Sequence, residues 1–487
     1  MTAPGQDIIS LQYIIAVLPE IVLLAGGLII LMIEAFISGK RRGVTPTALL
    51  VTIAAMVISF YFWNYRGDAF FSMITVDAFS HFFDLIFLAG LLLTILLSES
   101  YMKRVNLNRG EYYALLFFAV IGMMLMAKGK DLLVIFLGLE LLSLSLYILV
   151  GFIRNRLRSN ESALKFMLLG AFSSAFFLYG IALIYGNFGS TNLTVISSAF
   201  TGAADYSPVV VGMGMGLLIV GFGFKVALVP FHMWSPDVYQ GAPTSITAFI
   251  STGPKAAGFA AFLRVFIYSF RSIHDDWMVI VWIISVLTMT AGNLIAIRQQ
   301  NVKRLLAYSS IAHAGYILIG ILAANDLGIS SILYYLLVYT FMNIGAFGIV
   351  LIMERAEEKG LEVEDYRGLG HTSPFISLVF TIFLISLAGI PPTAGFFAKF
   401  YLFSAAIKAK FYLIAIIGVL NSVVSVYYYL RIVVHMFMLE PERELAKPAL
   451  TPLGFIAILI SGYGIIHLGL FPADVLKFAM DSISSLF

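Results

Sequence analysis

The chain contains no cysteine, which removes disulfides, thiol catalysis and thiolate-held iron–sulfur clusters from its own chemistry. Charge is nearly as scarce: Asp, Glu, Lys and Arg make up 12% of the 487 residues, against about a quarter in an ordinary soluble domain. No soluble domain and no long polar linker interrupts the sequence. No Lys or Arg precedes Lys40, so the basic region of a cleaved signal is missing and the first apolar run reads as a retained helix. No strand is evident and no Gly-x-Gly-x-x-Gly follows one, so a dinucleotide-binding role is not expected here. The net charge of +3 is too small to argue for nucleic acid.

What remains is hydrophobic. At 60% hydrophobic residues and a mean hydropathy of +0.96, the sequence reads as a polytopic, all-helical membrane protein. Apolar runs of spanning length fall near 10–37, 45–65, 77–98, 111–127, 131–152, 163–186, 209–231, 245–270, 277–297, 305–323, 328–353, 375–403, 411–437 and 450–470, predicting about fourteen spans. If the loops alternate sides, those holding Lys40, Arg41, Arg42, the Arg154 to Lys165 group, Arg298 to Arg304, Arg443 and Lys447 carry the larger share of the 30 basic residues. The other side has few, among them Arg66, Lys128, Lys130 and Arg271. By the positive-inside rule both termini then face outward, on the periplasmic or outer side.

Two spans carry breakers at mid-depth. The seventh runs into Pro230 and Ser235-Pro236-Asp237, and the twelfth holds Ala388-Gly389-Ile390-Pro391-Pro392-Thr393-Ala394-Gly395. Proline deletes a donor and frees a carbonyl, and irregular backbone at membrane depth survives only where protein or water satisfies it. Gly-Phe-x-x-Lys occurs at Gly221–Lys225 and again at Gly395–Lys399, and Tyr-Ile-Leu-x-Gly at Tyr147–Gly151 and at Tyr316–Gly320, in the same order and at nearly the same offset. These matches point to a five-helix unit, spans 4–8, repeated as spans 9–13. Five is odd, so the second copy is inverted, an arrangement that places ion sites at the midplane between discontinuous helices. The expected division is 1–110 for an N-terminal three-helix segment, 111–270 and 271–440 for the two repeats, and 441–487 for a C-terminal helix.

Four charges lie deep inside spans, Glu140, Lys225, Lys255 and Lys399. A charge near the bilayer centre is costly unless paired or wetted, so these are the candidate proton- or ion-handling groups. The strings Leu228–Thr244, Ser309–Tyr316 and Leu387–Phe396 resemble the antiporter-like membrane subunits of proton-pumping NADH:quinone oxidoreductase, respiratory complex I, over essentially the whole chain. Asp237-Val238-Tyr239-Gln240-Gly241-Ala242-Pro243-Thr244 is most similar to the N-type of these subunits, the sequence stops without the long lateral helix of the L-type, and Lys399 stands where the M-type has a glutamate.

The resemblance implies that Glu140 matches the acidic residue of the fifth helix, and that Lys225, Lys255 and Lys399 match the lysines of the seventh, eighth and twelfth; His313 is itself read as a relay between the central lysines. The resemblance implies a proton path in through one half-channel, along the midplane and out through the other. It further implies a multi-pass place in the cell inner (plasma) membrane, with an M-like homologue and the small subunits J and K as neighbours. NADH, FMN, iron–sulfur clusters and quinone would be held by other subunits, with no cofactor or metal on this chain.

Other readings stand beside these. Glu140, Lys225 and Lys255 can be a structural ion pair, Lys399 can snorkel to the interface, and His313 can be a packed histidine. His232 and Asp237 can cap a helix. Glu20, Glu34, His81, Asp84, Arg264, His435 and His467 sit near span ends, where interfacial or subunit contacts are expected. Gly212-x-x-x-Gly216 is expected to pack closely, the phenylalanines to face lipid, and Glu354 to Asp365 to form a solvated loop. Two competing functions are a Mrp-type cation/proton antiporter subunit and a non-transporting assembly anchor.

Overall fold

The computed structural model describes residues 11–36, 43–105, 107–202, 206–355, 359–441 and 450–484. In chain order the helices are α1 (Leu11–Ala16), α2 (Leu18–Phe36), α3 (Val44–Tyr61), α4 (Ala78–Arg104), α5 (Gly110–Lys128), α6 (Leu132–Val150), α7 (Leu157–Phe188), α8 (Leu193–Thr201), α9 (Pro208–Lys225), α10 (Trp234–Gly241), α11 (Thr244–Phe262), α12 (His274–Ile297), α13 (Val302–Ala323), α14 (Asp326–Met353), α15 (Leu369–Thr372), α16 (Pro374–Ala388), α17 (Ala394–Lys408), α18 (Tyr412–Met438), α19 (Pro452–Leu470) and α20 (Pro472–Ile483). Among the described residues thirteen helices are long and apolar enough to cross a membrane. The remaining span is split into the shorter α16 and its continuation α17, as the prolines between them require. The seventh is interrupted likewise, between α9 and α10. In each group of five spans, α5 to α11 and α12 to α18, the fourth is the broken one.

Short connections leave helix starts to be written by single side chains. Asp77, Asp131, Asn301 and Asn325 each accept a backbone N–H from the first turn of α4, α6, α13 and α14. Such caps contribute about 0.5–2 kcal/mol each. The centre of the bundle is α4, α11, α13 and α14. Every residue of α11 is buried, and its sequence, rich in Ala, Gly, Ser and Thr, is of the kind that lets helices approach closely. Lipid-exposed leucines, isoleucines and valines mark α2, α3, α7, α18 and α19 as the outer layer.

Several expectations fail for identifiable reasons. A small hairpin, β1 (Gly67–Ala69) with β2 (Ile74–Val76), is present; three-residue strands are too short to show a period. The phenylalanines are not only lipid-facing, since Phe79, Phe83, Phe87, Phe222, Phe266 and Phe347 have no exposure. Gly212 and Gly216 face open space, and α9 instead packs on α7 through Gly214 and Gly180, two positions off the expected register. Glu354 is no solvated loop residue: it is buried, accepting hydrogen bonds from Thr244 Oγ1 at 2.5 Å and Tyr101 Oη at 3.2 Å and pairing with Arg156 at 3.3 Å. Lys128, expected in a polar loop, is buried against Glu20 and Asp84, and Arg264 is buried against Asp77. These ionic groups are inside the bundle, not interfacial. Of the basic loop residues used for orientation, Lys40, Arg41, Arg42, Arg443 and Lys447 lie outside the described residues.

Candidate functional site

The first break follows Lys225, the last residue of α9. The chain turns back on itself there: Val226 N donates to the Phe222 carbonyl, Leu228 N to Gly223 and Trp234 Nε1 to Phe224. The indole thus caps a carbonyl that a continuous helix would have used. Lys225 is 5% exposed, and its Nζ donates to Ser143 Oγ at 3.0 Å. Ser143 lies one turn beyond Glu140 on α6. No ion pair joins Glu140 to Lys225 among the described residues; the Glu140 carboxylate instead accepts a hydrogen bond from Ser174 of α7. Glu140 is also less buried than expected. It falls between Leu133, Leu137, Leu144 and Ile148, the exposed stripe of α6, so this carboxylate lies at the edge of the bundle.

The second break shows how a lysine is held without a carboxylate. α16 ends at Ala388, and Gly389 takes a left-handed φ of 83°, a conformation cheap only for glycine. A Cβ at Gly389 would come within 2.9 Å of Lys399 Cδ, so the missing side chain also makes room for the lysine. Lys399 Nζ donates to the carbonyls of Ala388 at 2.9 Å and Leu387 at 3.2 Å and to Ser422 Oγ at 3.0 Å, and it sits 5.0 Å from the Tyr316 ring centroid. Orphan carbonyls at a helix C-terminus carry partial negative charge, which an ammonium complements. At 4% exposure Lys399 does not snorkel. Lys225 precedes its break and Lys399 follows its own, so the two Gly-Phe-x-x-Lys strings lie on opposite sides of the two interruptions.

Between the breaks lie Lys255 on α11 and His313 on α13, each 2% exposed. Lys255 Nζ donates to the Ser310 carbonyl at 2.8 Å and its hydroxyl at 2.5 Å, and that hydroxyl is 3.2 Å from Tyr239 Oη. His313 Nδ1 is 2.6 Å from Tyr335 Oη and Nε2 is 3.2 Å from Tyr429 Oη, and Tyr429 in turn bonds the Ser309 hydroxyl. Ser310, His313 and Tyr316, three residues apart, put one polar stripe of α13 between Lys255 and Lys399. Beyond Tyr316, Asn293 donates to its hydroxyl at 3.0 Å and to Asn421 at 3.2 Å. Among the described residues none of the three lysines has a carboxylate within ion-pair distance. The arrangement is a row of buried titratable groups, each hydrogen-bonded to a hydroxyl of its own. The hydroxyl and amide members, Ser143, Ser310, Tyr335, Tyr429 and Asn293, were missed from sequence; the three-residue polar spacing on α13 is a signal for Ser310 alone, and the others come from α6, α12, α14 and α18.

His232 lies in the first break, and Asp237, on α10 past it, receives Arg304 Nη1 at 2.7 Å and Lys165 Nζ at 3.1 Å. Burial alone would raise the Asp237 carboxyl, but these two cations hold it below its ordinary value. The contact therefore stabilises at neutral pH and is lost as pH falls through the lowered value. Asp237 is 36% exposed, which limits the contact to about 0–1 kcal/mol. Asp237→Asn should lower the thermal midpoint slightly at pH 7, with the difference shrinking as pH falls through the lowered Asp237 value; a midpoint difference that stays constant with pH would refute the assignment.

Fold and site together define a class: polytopic helical membrane proteins with two interrupted helices and buried lysines at the interruptions. Residues 129–425 match the family described as NADH:quinone oxidoreductase/Mrp antiporter, TM, and the chain belongs to this family, in the subunit-N branch of NADH-quinone oxidoreductase. It is 47% identical over 468 residues to NADH-quinone oxidoreductase subunit N of Trichlorobacter lovleyi, covering 96% of each chain. It is 45% identical over 473 residues to subunit N 2 of Rhizobium meliloti, covering 97% of this chain and 98% of that one. Among solved structures, a chain of respiratory complex I from Thermus thermophilus with bound aureothin superposes with a TM-score of 0.81 at 35% identity, covering 95% of this chain and 99% of that one. A chain of the Mrp complex from Dietzia sp. superposes with a TM-score of 0.84 at 19% identity, covering 98% of both, a likeness of fold alone.

Proposed function

We propose that this chain translocates protons across the cell inner membrane within respiratory complex I, driven by NADH:quinone electron transfer in other subunits. The observation that carries the reading is the row Lys225, Lys255, His313 and Lys399, buried, each hydrogen-bonded to a serine or tyrosine hydroxyl, and without carboxylate partners among the described residues. Burial disfavours an ammonium and a nearby carboxylate favours it, so an approach or withdrawal of negative charge at Glu140 would load or discharge Lys225. The proton then passes by Lys255 and His313 to Lys399. Residues 111–270 and 271–440 act as inverted halves that each supply one half-channel, with 1–110 and 441–487 flanking them and both termini outward.

Glu140 supports a partner on the α6 face. A carboxylate on a stripe of exposed leucines is too costly to leave against lipid, so a neighbouring subunit, an M-like homologue or the small J and K, covers it. NADH, FMN, iron–sulfur clusters and quinone belong to those other subunits. The identity to N-type relatives favours this reading over a Mrp-type antiporter.

The test is Glu140→Gln in the assembled complex. Glutamine keeps the size of Glu140 and an oxygen to accept the Ser174 hydroxyl, so assembly and copurification with flavin- and cluster-containing subunits should persist. Turnover-linked proton uptake in vesicles should fall about tenfold, the change expected when a charge interaction of ~1.4 kcal/mol is removed. Wild-type uptake in a fully assembled variant would remove Glu140 from the path.

A further inference from the structure

A second ionic cluster lies outside the central row and outside residues 129–425. Lys128, the last residue of α5, places Nζ 2.6 Å from Glu20 Oε1 of α2, 3.3 Å from Asp84 Oδ2 of α4 and 3.4 Å from the Ala16 carbonyl. The three side chains are 1%, 6% and 0% exposed respectively. The charged and titratable groups around them are His81 and Asp77 on α4 and Arg264 on the π-helical extension of α11, with Arg66 acting on His81 from the hairpin side. Arg264 is fully engaged: its guanidinium donates to both Asp77 oxygens at 2.7 and 2.8 Å, and its Nε donates to the carbonyl of Ala127, the neighbour of Lys128.

Once Asp77 is matched by Arg264, two carboxylates are left facing one ammonium. Ion pairing alone needs only one of them. The surplus is visible in the geometry, because Glu20 Oε2 and Asp84 Oδ1 are buried and accept no hydrogen bond. Two carboxylates that share a buried site do not both stay ionised against a single cation, and a proton on one of them restores neutrality. Solvent is near, since Lys130 and Asp68, paired at 2.7 Å beside this end of α5, are 21% and 35% exposed.

We propose that Glu20, Asp84 and Lys128 form a proton-binding site, separate from the central row, that holds one exchangeable proton on its two carboxylates. The reaction is carboxylate plus proton giving carboxylic acid, the proton coming from and returning to water at the hairpin end of the bundle; nothing is oxidised or reduced. Through Arg264 the charge of this site is felt by α11, the helix that carries Lys255.

Infrared spectroscopy of the purified complex in lipid reads the site directly. The protonated-carboxyl C=O stretch should titrate with pH and move to lower frequency in deuterium oxide. In difference spectra against wild type, Asp84→Asn and Glu20→Gln should each remove the same single-carboxyl band, because each leaves one carboxylate for one ammonium. Lys255→Met should retain it, so failure of the central-row reading is distinguishable from failure here. Spectra of both carboxylate variants that coincide with wild type across the titration would overturn the proposal. If neither assembles, Lys128→Met carries the test: without the ammonium both carboxyls protonate and the band should double, and an unchanged band would overturn it.

Discussion

Lys255→Met is expected to assemble at wild-type levels and to lose at least tenfold of turnover-linked proton translocation. The side chain is buried in the bundle and, among the described residues, its Nζ bonds only Ser310, so methionine, of similar length, fills the space without leaving a charge unpaired; the Ser310 hydroxyl keeps Tyr239 as a partner. What is lost is a basic group between Lys225 and the Ser310–His313–Tyr316 stripe. A proton moved against roughly 150–200 mV requires about 3.5–4.6 kcal/mol, and a row with a missing member cannot hold the proton while that work is done. Lys255→Arg separates charge from titration. Guanidinium keeps the positive charge but does not release its proton, so this variant should pump no better than Lys255→Met. Proton uptake measured beside quinone reduction in vesicles decides: full uptake in either assembled variant would make Lys255 structural.

The residues that were legible in the sequence are those that break a strong local rule. Pro230, Pro391 and Pro392 cannot continue a helix, and a lysine inside an apolar run has few explanations, so the two interruptions and Lys225, Lys255 and Lys399 could be named before any coordinates. What could not be named depends on which helices meet. Ser143, Ser310 and Tyr429 are ordinary residues for a membrane helix, and they matter only because α6, α13 and α18 bring them to Lys225, Lys255 and His313. Glu354 follows a spanning helix and precedes Arg355, a position that locally reads as a loop; its burial depends on Tyr101, Arg156 and Thr244, which come from distant parts of the chain. The depth of Glu140 misleads in the opposite sense. An acidic residue amid leucines looks deeply buried, yet on α6 the leucines themselves face outward, and only the packing of neighbouring helices reveals it.

Arg264→Met should have the largest effect on stability, with a cost of roughly 3–5 kcal/mol, the range for removing one partner of a buried ion pair, and with assembly of the complex largely lost. Arg264 and Asp77 are 6% and 7% exposed, their contact is bidentate, and the guanidinium also lies 4.7 Å from the centre of the Phe79 ring. Methionine would leave the Asp77 carboxylate buried without a cation. Asp77 cannot simply be deleted as a remedy, because its side chain caps α4 in a reciprocal bond with Ser80. Asparagine retains that capping ability while removing the charge, so Asp77→Asn combined with Arg264→Met should recover most of the assembly lost in the single variant. Recovery is expected because a buried pair contributes little net stability over a neutral replacement; the large penalty belongs to the charge left alone. Thermal stability and yield of the assembled complex measure both variants. A double variant as impaired as Arg264→Met would show that the guanidinium acts through its bond to the Ala127 carbonyl and its packing on Phe79, and that charge compensation of Asp77 is secondary in joining the N-terminal helices to α11.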